Sequence, residues 1–414
     1  MFQLIKFRPF FLYLFSHTLS NIGLGIHLFT MSWLVLDLTE TTSSLGWLFS
    51  LSTLPVIILS PFIGVLIDNW DRRLIVVVIQ LLKGILLLTV PILLLTGSFH
   101  LSVLYGISLL MSIADRLYFP ASKGLMREIL TKDQLLSANS MAGVVMQLGM
   151  LIGAVIAGFL LHLIGGANTI LANSILAFAS SFIIYFTRKG IVNPKSKIGK
   201  GYDSFFGELK DGIQYVRENK MILKMAVLVA VTEFTIQIYN ILSVPLIRND
   251  MKMGPEILGL LDSFFAWGAI LGGITLTTMV TWFGRKHFMS ISLLLMGVFF
   301  GLIPFMQGIF SGGAIFLLFG TTLLQARTLY STLIHEQVET HYQGRVNSMI
   351  YTLTSIFGFV IYAIIGYLGE MVTPSLLFHA IGLIIAAGSI ILFIVSDKLL
   401  RVKESGPATV EVVK

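Results

Sequence analysis

Cysteine is absent from this chain, and charged residues are scarce. None of the 414 residues is cysteine, and only 12% are charged, whereas soluble domains average about 25%. Without cysteine the chain has no disulfide bond, no thiolate nucleophile and no cysteine-ligated metal. The low share of charged residues excludes a large soluble domain, because the surface of such a domain is rich in charged side chains.

Two chemical motifs are missing as well. No phosphate-binding loop ending in Gly-Lys-Ser or Gly-Lys-Thr is present, which argues against ATP-driven transport within this chain. The stretch from His335 to Glu339 approaches the metalloprotease pattern H-E-x-x-H, but Glu339 replaces the second histidine ligand. Elsewhere in the sequence, no nucleophile and base lie at a spacing that indicates a catalytic site. We therefore expect a protein that is not an enzyme and that uses no metal or cofactor.

Long apolar runs dominate the sequence instead. Hydrophobic residues make up 56% of the chain and form twelve runs of about 20 residues or more, enough for each to cross a bilayer as a helix. The runs fall into two sets of six. We expect an N-terminal six-helix bundle in residues 1–187, a cytoplasmic linker with an amphipathic helix in 188–220, a C-terminal bundle in 221–396, and a cytoplasmic tail in 397–414.

Basic residues are distributed unevenly around these runs. If the N-terminus is cytoplasmic, most of the 28 Lys and Arg residues fall on cytoplasmic loops or at cytoplasmic helix ends. Cytoplasmic loops of membrane proteins carry this excess of positive charge. The pattern predicts that both termini are cytoplasmic, and it assigns the net charge of +7 to topology rather than to nucleic-acid binding. The exceptions are Arg248 and Lys252 outside, and Lys83, Arg116 and Arg327 within the runs.

The two halves of the chain repeat each other. Leu45-Gly46-Trp47-Leu48 matches Leu258-Gly259-Leu260-Leu261, and the same spacing places Arg72-Arg73 on Arg285-Lys286. At nearly the same spacing, Ala138-Asn139-Ser140-Met141 matches Val346-Asn347-Ser348-Met349. Two related halves of about 200 residues are typical of duplicated transporters. We interpret the chain as an internal duplication.

One polar loop separates the second and third runs, and it carries the pattern G-x-x-x-D-x-x-D-R-R. The pattern resembles the loop signature of the major facilitator superfamily, G-x-x-x-D-R-x-x-R-K, although Asn69 stands where that family has a basic residue. By this resemblance the loop helps to close the cytoplasmic gate, with Asp68 pairing with Arg72 or with the start of the eleventh run. The predicted gating residues are Gly64, Asp68, Asp71, Arg72, Arg73 and Arg345.

The fifth run carries Gly149, Gly153 and Gly158. Their spacing resembles the glycine-rich antiporter signature of the same superfamily, G-x-x-x-G-P-x-x-G-G, but Ala154 and Ala157 replace its proline and one of its glycines. Small residues at this spacing also let helices approach closely. We predict a helix-packing role for the three glycines.

Further segments, Phe119-Pro120-Ala121 and Leu135 to Asn139, resemble macrolide-efflux-type members of the superfamily. Along nearly its whole length the chain is similar to that drug:proton antiporter branch. The resemblance implies an all-α membrane protein with twelve transmembrane helices in two pseudo-symmetric six-helix bundles. It also implies a secondary transporter in a bacterial inner membrane that exports a small amphiphilic molecule, such as a drug, antibiotic or siderophore, by alternating access. The expected partners are this substrate, protons and the lipid bilayer, and we expect a monomer that binds no nucleic acid.

Polar side chains recur at helical spacing on the first, fourth, seventh and tenth runs, which line the central cavity in the superfamily. Polar stripes in membrane helices face protein or water rather than lipid, so packing between helices is the alternative to a cavity. Arg116 and Arg327 leave an anionic cargo possible. The predicted cavity residues are His17, Asn21, Arg116, Gln237, Asn240, Gln325 and Arg327.

Three carboxyl groups are predicted to lie within the membrane, in the order of preference Glu233, Asp262 and Asp115. A charge at the bilayer centre costs about 2.5–3.5 kcal/mol on insertion scales, so it persists only with a partner or a use. We predict proton coupling for these groups, with a structural hydrogen bond between helices as the alternative for Glu233. Lys83 also lies within an apolar run, and we expect it to pair with a neighbouring acid, with snorkelling or substrate contact as the alternatives.

Three other functions remain open from the sequence. A lipid flippase-like facilitator and a small-molecule importer would share the same fold. A membrane sensor or scaffold would also share it, but would have little use for acids within the membrane.

Overall fold

The structure is a computed structural model that describes residues 2–59, 70–96, 100–187, 202–339 and 341–399, and this part of the chain is helical without strands. Ten of its long helices each cross the apolar layer once. The membrane helices are numbered in chain order, and the labels α5 and α6 are given in the next paragraph to the two parts of the segment Leu135–Tyr185. The bounds of the ten single helices are α1 Arg8–Thr39, α2 Thr42–Leu59, α3 Arg72–Leu95, α4 Leu101–Ile129, α7 Lys220–Pro245, α8 Pro255–Phe283, α9 Arg285–Leu302, α10 Ile309–Gln337, α11 Gln343–Met371 and α12 Pro374–Leu399.

The segment Leu135–Tyr185 supplies two crossings rather than one. Its 51 residues would span about 75 Å as a straight helix, far more than the hydrocarbon core of about 30 Å. Gly165 has φ 77° and ψ 171°, a conformation that glycine adopts without a steric cost. The chain reverses there, which gives α5 (residues 135–164) and α6 (166–185). The predicted all-α fold with twelve membrane helices is confirmed.

Helix ends alternate between two faces of the molecule. Asp71 begins α3 by accepting a hydrogen bond from the backbone nitrogen of Arg73 at 3.0 Å, as an N-cap residue does. Glu40 ends α1 in the left-handed conformation with φ 58°. We name the two faces after these ends: the linker face holds Asp71, Tyr185 and Gly284, and the opposite face holds Glu40, Gly165 and Met251.

The helix Tyr202–Glu218, here called the linker helix, packs against the start of α11. Gly212 makes this possible, because a Cβ atom there would lie 2.9 Å from the carbonyl oxygen of Arg345. Beside it, the rings of Tyr215 and Tyr342 stack at 4.3 Å, and Val216 is buried. The linker helix is therefore tied to the C-terminal half of the molecule.

The two halves meet through a pair of glycine contacts near the opposite face. Between α2 and α11, a Cβ atom on Gly46 would lie 2.6 Å from the Tyr362 carbonyl oxygen and 3.0 Å from the Gly366 Cα. Between α5 and α8, a Cβ atom on Gly158 would lie 2.6 Å from the Pro255 carbonyl oxygen and 3.2 Å from the Gly259 Cα.

These two contacts are copies of each other. The spacing that matches the first repeated segments relates Gly46 to Gly259, and the spacing of the second relates Gly158 to Gly366. Each half therefore contributes one glycine of each type, and each glycine contacts the other type across the interface, as a pseudo-two-fold axis between duplicated halves requires. The internal repeat read from the sequence thus appears in the fold as a symmetric closure.

Labelling of single cysteines should define which face is cytoplasmic. Lys210 on the linker helix and Gln307 between α9 and α10 are both exposed, and the chain has no native cysteine. The charge distribution predicts a cytoplasmic linker face. In intact cells, an impermeant maleimide should label Gln307→Cys but not Lys210→Cys, and inverted vesicles should give the reverse. Labelling of both positions from one side would contradict this topology.

Candidate functional site

A cavity of about 430 Å³ lies between α1, α2, α5, α7, α8 and α10. Its wall is largely apolar, and Phe29, Phe49 and Phe265 contribute aromatic surface. Such a mixture of apolar wall and few polar groups is typical of small-molecule sites. The polar or charged residues of the wall are Ser32, Gln147, Tyr239, Asn240, Ser243, Asp262 and Arg327.

A second chamber of about 410 Å³ continues the cavity towards the linker face. The two chambers share Gln147, Leu324 and Arg327. Arg327 Nε lies 2.7 Å from Glu233 Oε1, and this ion pair joins α10 to α7 in the wall of the second chamber. Its side chains keep 48% and 24% of their surface exposed, so the pair is accessible from the cavity.

Asp262 is held by a tyrosine that the sequence did not single out. The hydroxyl of Tyr239 donates a hydrogen bond to Asp262 Oδ1. The Tyr239 ring lies 5.8 Å from that of Phe265, 5.9 Å from Phe316 and 5.8 Å from Phe319. Tyr239 lies outside the stripe of Glu233, Gln237 and Asn240, so helical spacing gave no signal for it. The contact between α7 and α8 depends on how the two helices are rotated.

Two of the predicted cavity residues on α1 are packed between helices. His17 Nδ1 lies 3.2 Å from the Tyr118 hydroxyl, and the imidazole is 5% exposed. Asn21 Nδ2 donates to the carbonyl oxygen of His17 at 2.7 Å, and its Cβ atom abuts Gly149 of α5. Neither residue lines the two chambers in this conformation.

Three more predicted cavity residues also lie in contacts between helices. Gln325 Nε2 donates to Thr275 Oγ1 on α8 at 2.9 Å, and the Gln237 side chain abuts Gly358 of α11. The Arg116 guanidinium lies 4.8 Å from the centre of the Tyr351 ring, which is the geometry of a cation–π contact between the halves. Of the seven predicted cavity residues, Asn240 and Arg327 therefore line the chambers.

Asp115 pairs with Lys83 between α4 and α3, as expected for an acid neighbouring that lysine. The lysine is 3% exposed, and its Nζ atom lies 5.3 Å from the centre of the Tyr118 ring. The pair lies within the N-terminal half and outside the lining of either chamber. This placement favours a structural role for Asp115.

Removing Lys83 should therefore destabilise the chain strongly. Lys83→Met leaves the Asp115 carboxylate without its partner, and breaking a buried ion pair costs about 3–5 kcal/mol. Lys83→Met/Asp115→Leu removes both charges and should recover most of the loss. The measurement is the thermal unfolding midpoint of purified protein in detergent. A Lys83→Met variant as stable as the wild type would show that the pair contributes little.

The predicted gating residues make contacts at the linker face. Arg72 Nη1 lies 3.3 Å from Glu128 Oε1 at the end of α4, and Arg73 Nη1 donates to the carbonyl oxygens of Tyr185 and Thr187 at 3.2 and 3.1 Å. Arg345 Nη1 lies 3.5 Å from Asp211 Oδ2 of the linker helix. Gly64 and Asp68 lie outside the described residues, and Asp71 caps α3.

The three predicted packing glycines all face another helix. Cβ atoms at Gly149 and Gly153 would lie 2.8 Å from Asn21 Cβ and 2.2 Å from the carbonyl oxygen of Ile22, both on α1. Gly158 instead faces α8 of the other half, as described above. The stripe therefore joins α5 to α1 along most of its length and to α8 near the opposite face.

Polar contacts close the opposite face between the halves. Arg248 Nη2 of the C-terminal half lies 2.9 Å from Asp37 Oδ1 at the end of α1, and Arg248 Nη1 donates to the Leu36 carbonyl oxygen at 2.8 Å. His162 Nδ1 lies 3.0 Å from Glu256 Oε2 between α5 and α8. With the halves joined there, the cavity extends towards the linker face.

Known proteins resemble this chain in sequence and in fold. A family model described as "transmembrane secretion effector" matches residues 6–405. The uncharacterized MFS-type transporter YfiS of Bacillus subtilis is 24% identical over 91% of each chain. Macrolide efflux protein A of Streptococcus pyogenes is 23% identical over 78% of this chain and 80% of that protein. A crystal structure of a variant of the nucleoside transporter NupG superposes with a TM-score of 0.76 at 14% identity, covering 95% of this chain and 100% of that one.

The family match covers most of the chain, and the helices and central cavity have the arrangement that the family requires. The chain belongs to the transmembrane secretion effector family of the major facilitator superfamily, and it is a membrane transporter rather than an enzyme.

Proposed function

We propose that this chain exports a small amphiphilic molecule by alternating access, driven by inward proton movement. The observation that carries the proposal is the Glu233–Arg327 pair in the wall shared with an apolar cavity. A titratable carboxyl placed beside the cargo site can link protonation to cargo binding. Neither proton binding nor cargo binding at this site requires a cofactor.

Coupling would follow from competition at Glu233. As a carboxylate, Glu233 holds Arg327 by a charge-assisted hydrogen bond at 2.7 Å. A proton on Glu233 removes that charge and releases the guanidinium. Because Arg327 also lines the main cavity, its release changes the charge that the cargo meets. Asp262 is the second candidate for the proton, and Asp115 is the third because it is already paired with Lys83.

The charges in the cavity favour a cationic cargo over an anionic one. Glu233 neutralises Arg327, while Asp262 is bound by the uncharged Tyr239. The wall therefore carries a net negative charge when both acids are ionised. This balance weighs against the anionic cargo that the arginines alone suggested. The macrolide exporter among its relatives also supports an efflux role.

The remaining assignments complete the proposal. The protein would lie in a bacterial inner membrane as a monomer, with both termini and the linker 188–220 in the cytoplasm. Bundles 1–187 and 221–396 would rock against each other, and the tail 397–414 would remain cytoplasmic. The loop from Gly64 to Arg73, with Arg345, would help to keep the linker face closed while the opposite face is open.

Inverted vesicles with an imposed pH gradient provide the test. The probe is tetraphenylphosphonium, a hydrophobic cation small enough to be tried against a cavity of about 430 Å³. An interior made acidic should drive concentrative uptake into the inverted vesicles, and a protonophore should abolish it. Transport in the opposite direction would favour an importer. Uptake that equals that of vesicles without the protein would reject the proposed cargo class.

A further inference from the structure

Beside each symmetric glycine contact, a carboxyl group joins the two halves a second time. At the contact of α2 with α11, the Ser43 hydroxyl donates a hydrogen bond to Glu370 Oε1. At the contact of α5 with α8, His162 Nδ1 lies 3.0 Å from Glu256 Oε2. Both pairs lie at the opposite face and cross from one half to the other, so they hold only while this face is closed.

The two pairs occupy equivalent positions in the duplicated halves. The spacing of the first repeated segments relates Ser43 to Glu256, and the spacing of the second relates His162 to Glu370. The pseudo-two-fold axis therefore exchanges the two pairs, but their chemistry differs. The charge of a serine hydroxyl does not change with pH, whereas an imidazole changes its charge between about pH 5 and 8. Of two equivalent contacts, the one between α5 and α8 carries a group that titrates in this range.

The surroundings of His162 determine what its charge does. Helices α1 and α8 pack against α5. Arg248 is bound to Asp37 at the end of α1, and the acid that His162 contacts is Glu256. Among the described residues, Glu256 Oε2 is shielded from solvent and has no hydrogen bond, so a positive charge on the nearby imidazole would stabilise the carboxylate. The charged residues at the ends of α1 and α8 and in the segment before α8 are Asp37, Glu40, Arg248, Asp250, Lys252 and Glu256.

We propose that His162 is a proton sensor of the opposite face, whose protonation turns the contact with Glu256 into an ion pair and favours the closed face. When the pH at this face rises, the imidazole loses its charge and the face opens more readily. The Ser43–Glu370 contact is the same at either charge of the histidine, so it is the constant part of the closure. The sensor acts whatever molecule the chain transports and whatever ion drives it.

Distances between spin labels on the two halves test the sensor in the full chain, reconstituted in lipid nanodiscs without cargo or a pH gradient. Asn168→Cys and Gln307→Cys place the labels at exposed positions of the opposite face, one in each half, and the chain has no native cysteine. Pulsed electron paramagnetic resonance gives the ratio of open to closed molecules. A partly exposed ion pair changes such a ratio by about two- to fivefold.

Raising the pH from about 5.5 to 8 should raise the open-to-closed ratio of the labelled wild type by at least this factor. His162→Gln should lose that part of the response, and His162→Arg should keep the closed face at the higher pH. The His162 side chain is 56% exposed, so neither change should disturb folding. His100→Gln is the matched control, because His100 is an exposed histidine of the same face, and its response should equal that of the wild type.

Three results would overturn the sensor: a wild-type ratio that does not change with pH, a face that opens on acidification, or a full response in His162→Gln. None of them bears on the proposed export function, because the measurement contains no cargo and no gradient. Failure of export in the vesicle assay would likewise leave the sensor standing.

Discussion

Replacing Glu233 by glutamine should abolish uphill transport and weaken the binding of a cationic cargo, while cargo exchange down its own gradient continues. Glutamine preserves the size and hydrogen-bonding capacity of the side chain but cannot exchange a proton. A gradient of one pH unit supplies about 1.4 kcal/mol per proton, which can sustain about a tenfold cargo gradient. The Glu233→Gln variant should sustain none, because protonation no longer changes the charge facing Arg327.

The matched control is the Glu336–Arg285 pair. Arg285 Nη1 lies 2.7 Å from Glu336 Oε2, an ion pair of the same type and length as Glu233–Arg327 but at the linker face and outside the chambers. Glu336→Gln should therefore transport normally. The measurement is the steady-state accumulation of tetraphenylphosphonium in inverted vesicles, together with exchange at zero gradient.

If Glu233→Gln has no effect on uphill transport, the Asp262→Asn variant becomes the next test. If Glu233→Gln still concentrates the probe with the wild-type rate and pH dependence, Glu233 has only a structural role. Asp262→Asn is then the variant expected to lose coupling. If both variants keep uphill transport, proton coupling through the cavity acids is wrong.

Adding one methyl group at each symmetric glycine contact should prevent the opposite face from closing. In Gly46→Ala/Gly158→Ala, each new Cβ atom would lie 2.6 Å from a carbonyl oxygen of the other half. This oxygen belongs to the backbone, so it cannot move aside as the end of a flexible side chain can. Overpacking of this kind costs about 1–3 kcal/mol at each contact. Together the two substitutions should change the equilibrium between the observed state and a state with the opposite face open by roughly thirtyfold or more, in favour of the open state.

The matched control for this variant is Gly106→Ala/Gly143→Ala. No atom lies within 4 Å of a Cβ atom built at either position among the described residues, so the helices gain alanine without a contact between the halves. Labelling of Ser32→Cys in the cavity measures the state. An impermeant maleimide added from the opposite side should label this cysteine in Gly46→Ala/Gly158→Ala but not in the control. Transport by Gly46→Ala/Gly158→Ala should be nearly lost. Equal labelling in both double variants would show that the glycine contacts do not control closure.

The number of helices and their duplication could be predicted from the sequence, because both depend on local composition. A bilayer requires an apolar stretch of about 20 residues for each crossing, whatever its neighbours are. The match between Gly46 and Gly259 can likewise be seen in the sequence, even though the sequence does not show which helices these glycines contact. The loop between α2 and α3 was visible as a charged cluster for the same reason, although Gly64 and Asp68 lie outside the described residues.

The lining of the cavity could be predicted only in part. A polar side chain in a membrane helix has to face protein or water, and the sequence does not distinguish these two surroundings. His17 and Gln325 satisfy the requirement by hydrogen bonds to other helices. Asn21 donates within α1 and packs on α5, and the Gln237 side chain packs on Gly358 of α11. Asn240 and Arg327 instead line the chambers.

The sequence by itself determined the membrane fold, the twelve crossings, the internal repeat and the presence of acids within the membrane, since each follows from hydropathy or spacing along one helix. Only the tertiary structure decided which acid met which partner. It placed Arg327 on Glu233, Tyr239 on Asp262 and Lys83 on Asp115. It also joined the halves at the opposite face, through Arg248 and Asp37 and through the glycine contacts of α2 with α11 and of α5 with α8. These features depend on the rotation and tilt of helices from distant parts of the chain, which packing between side chains sets and helical periodicity does not specify.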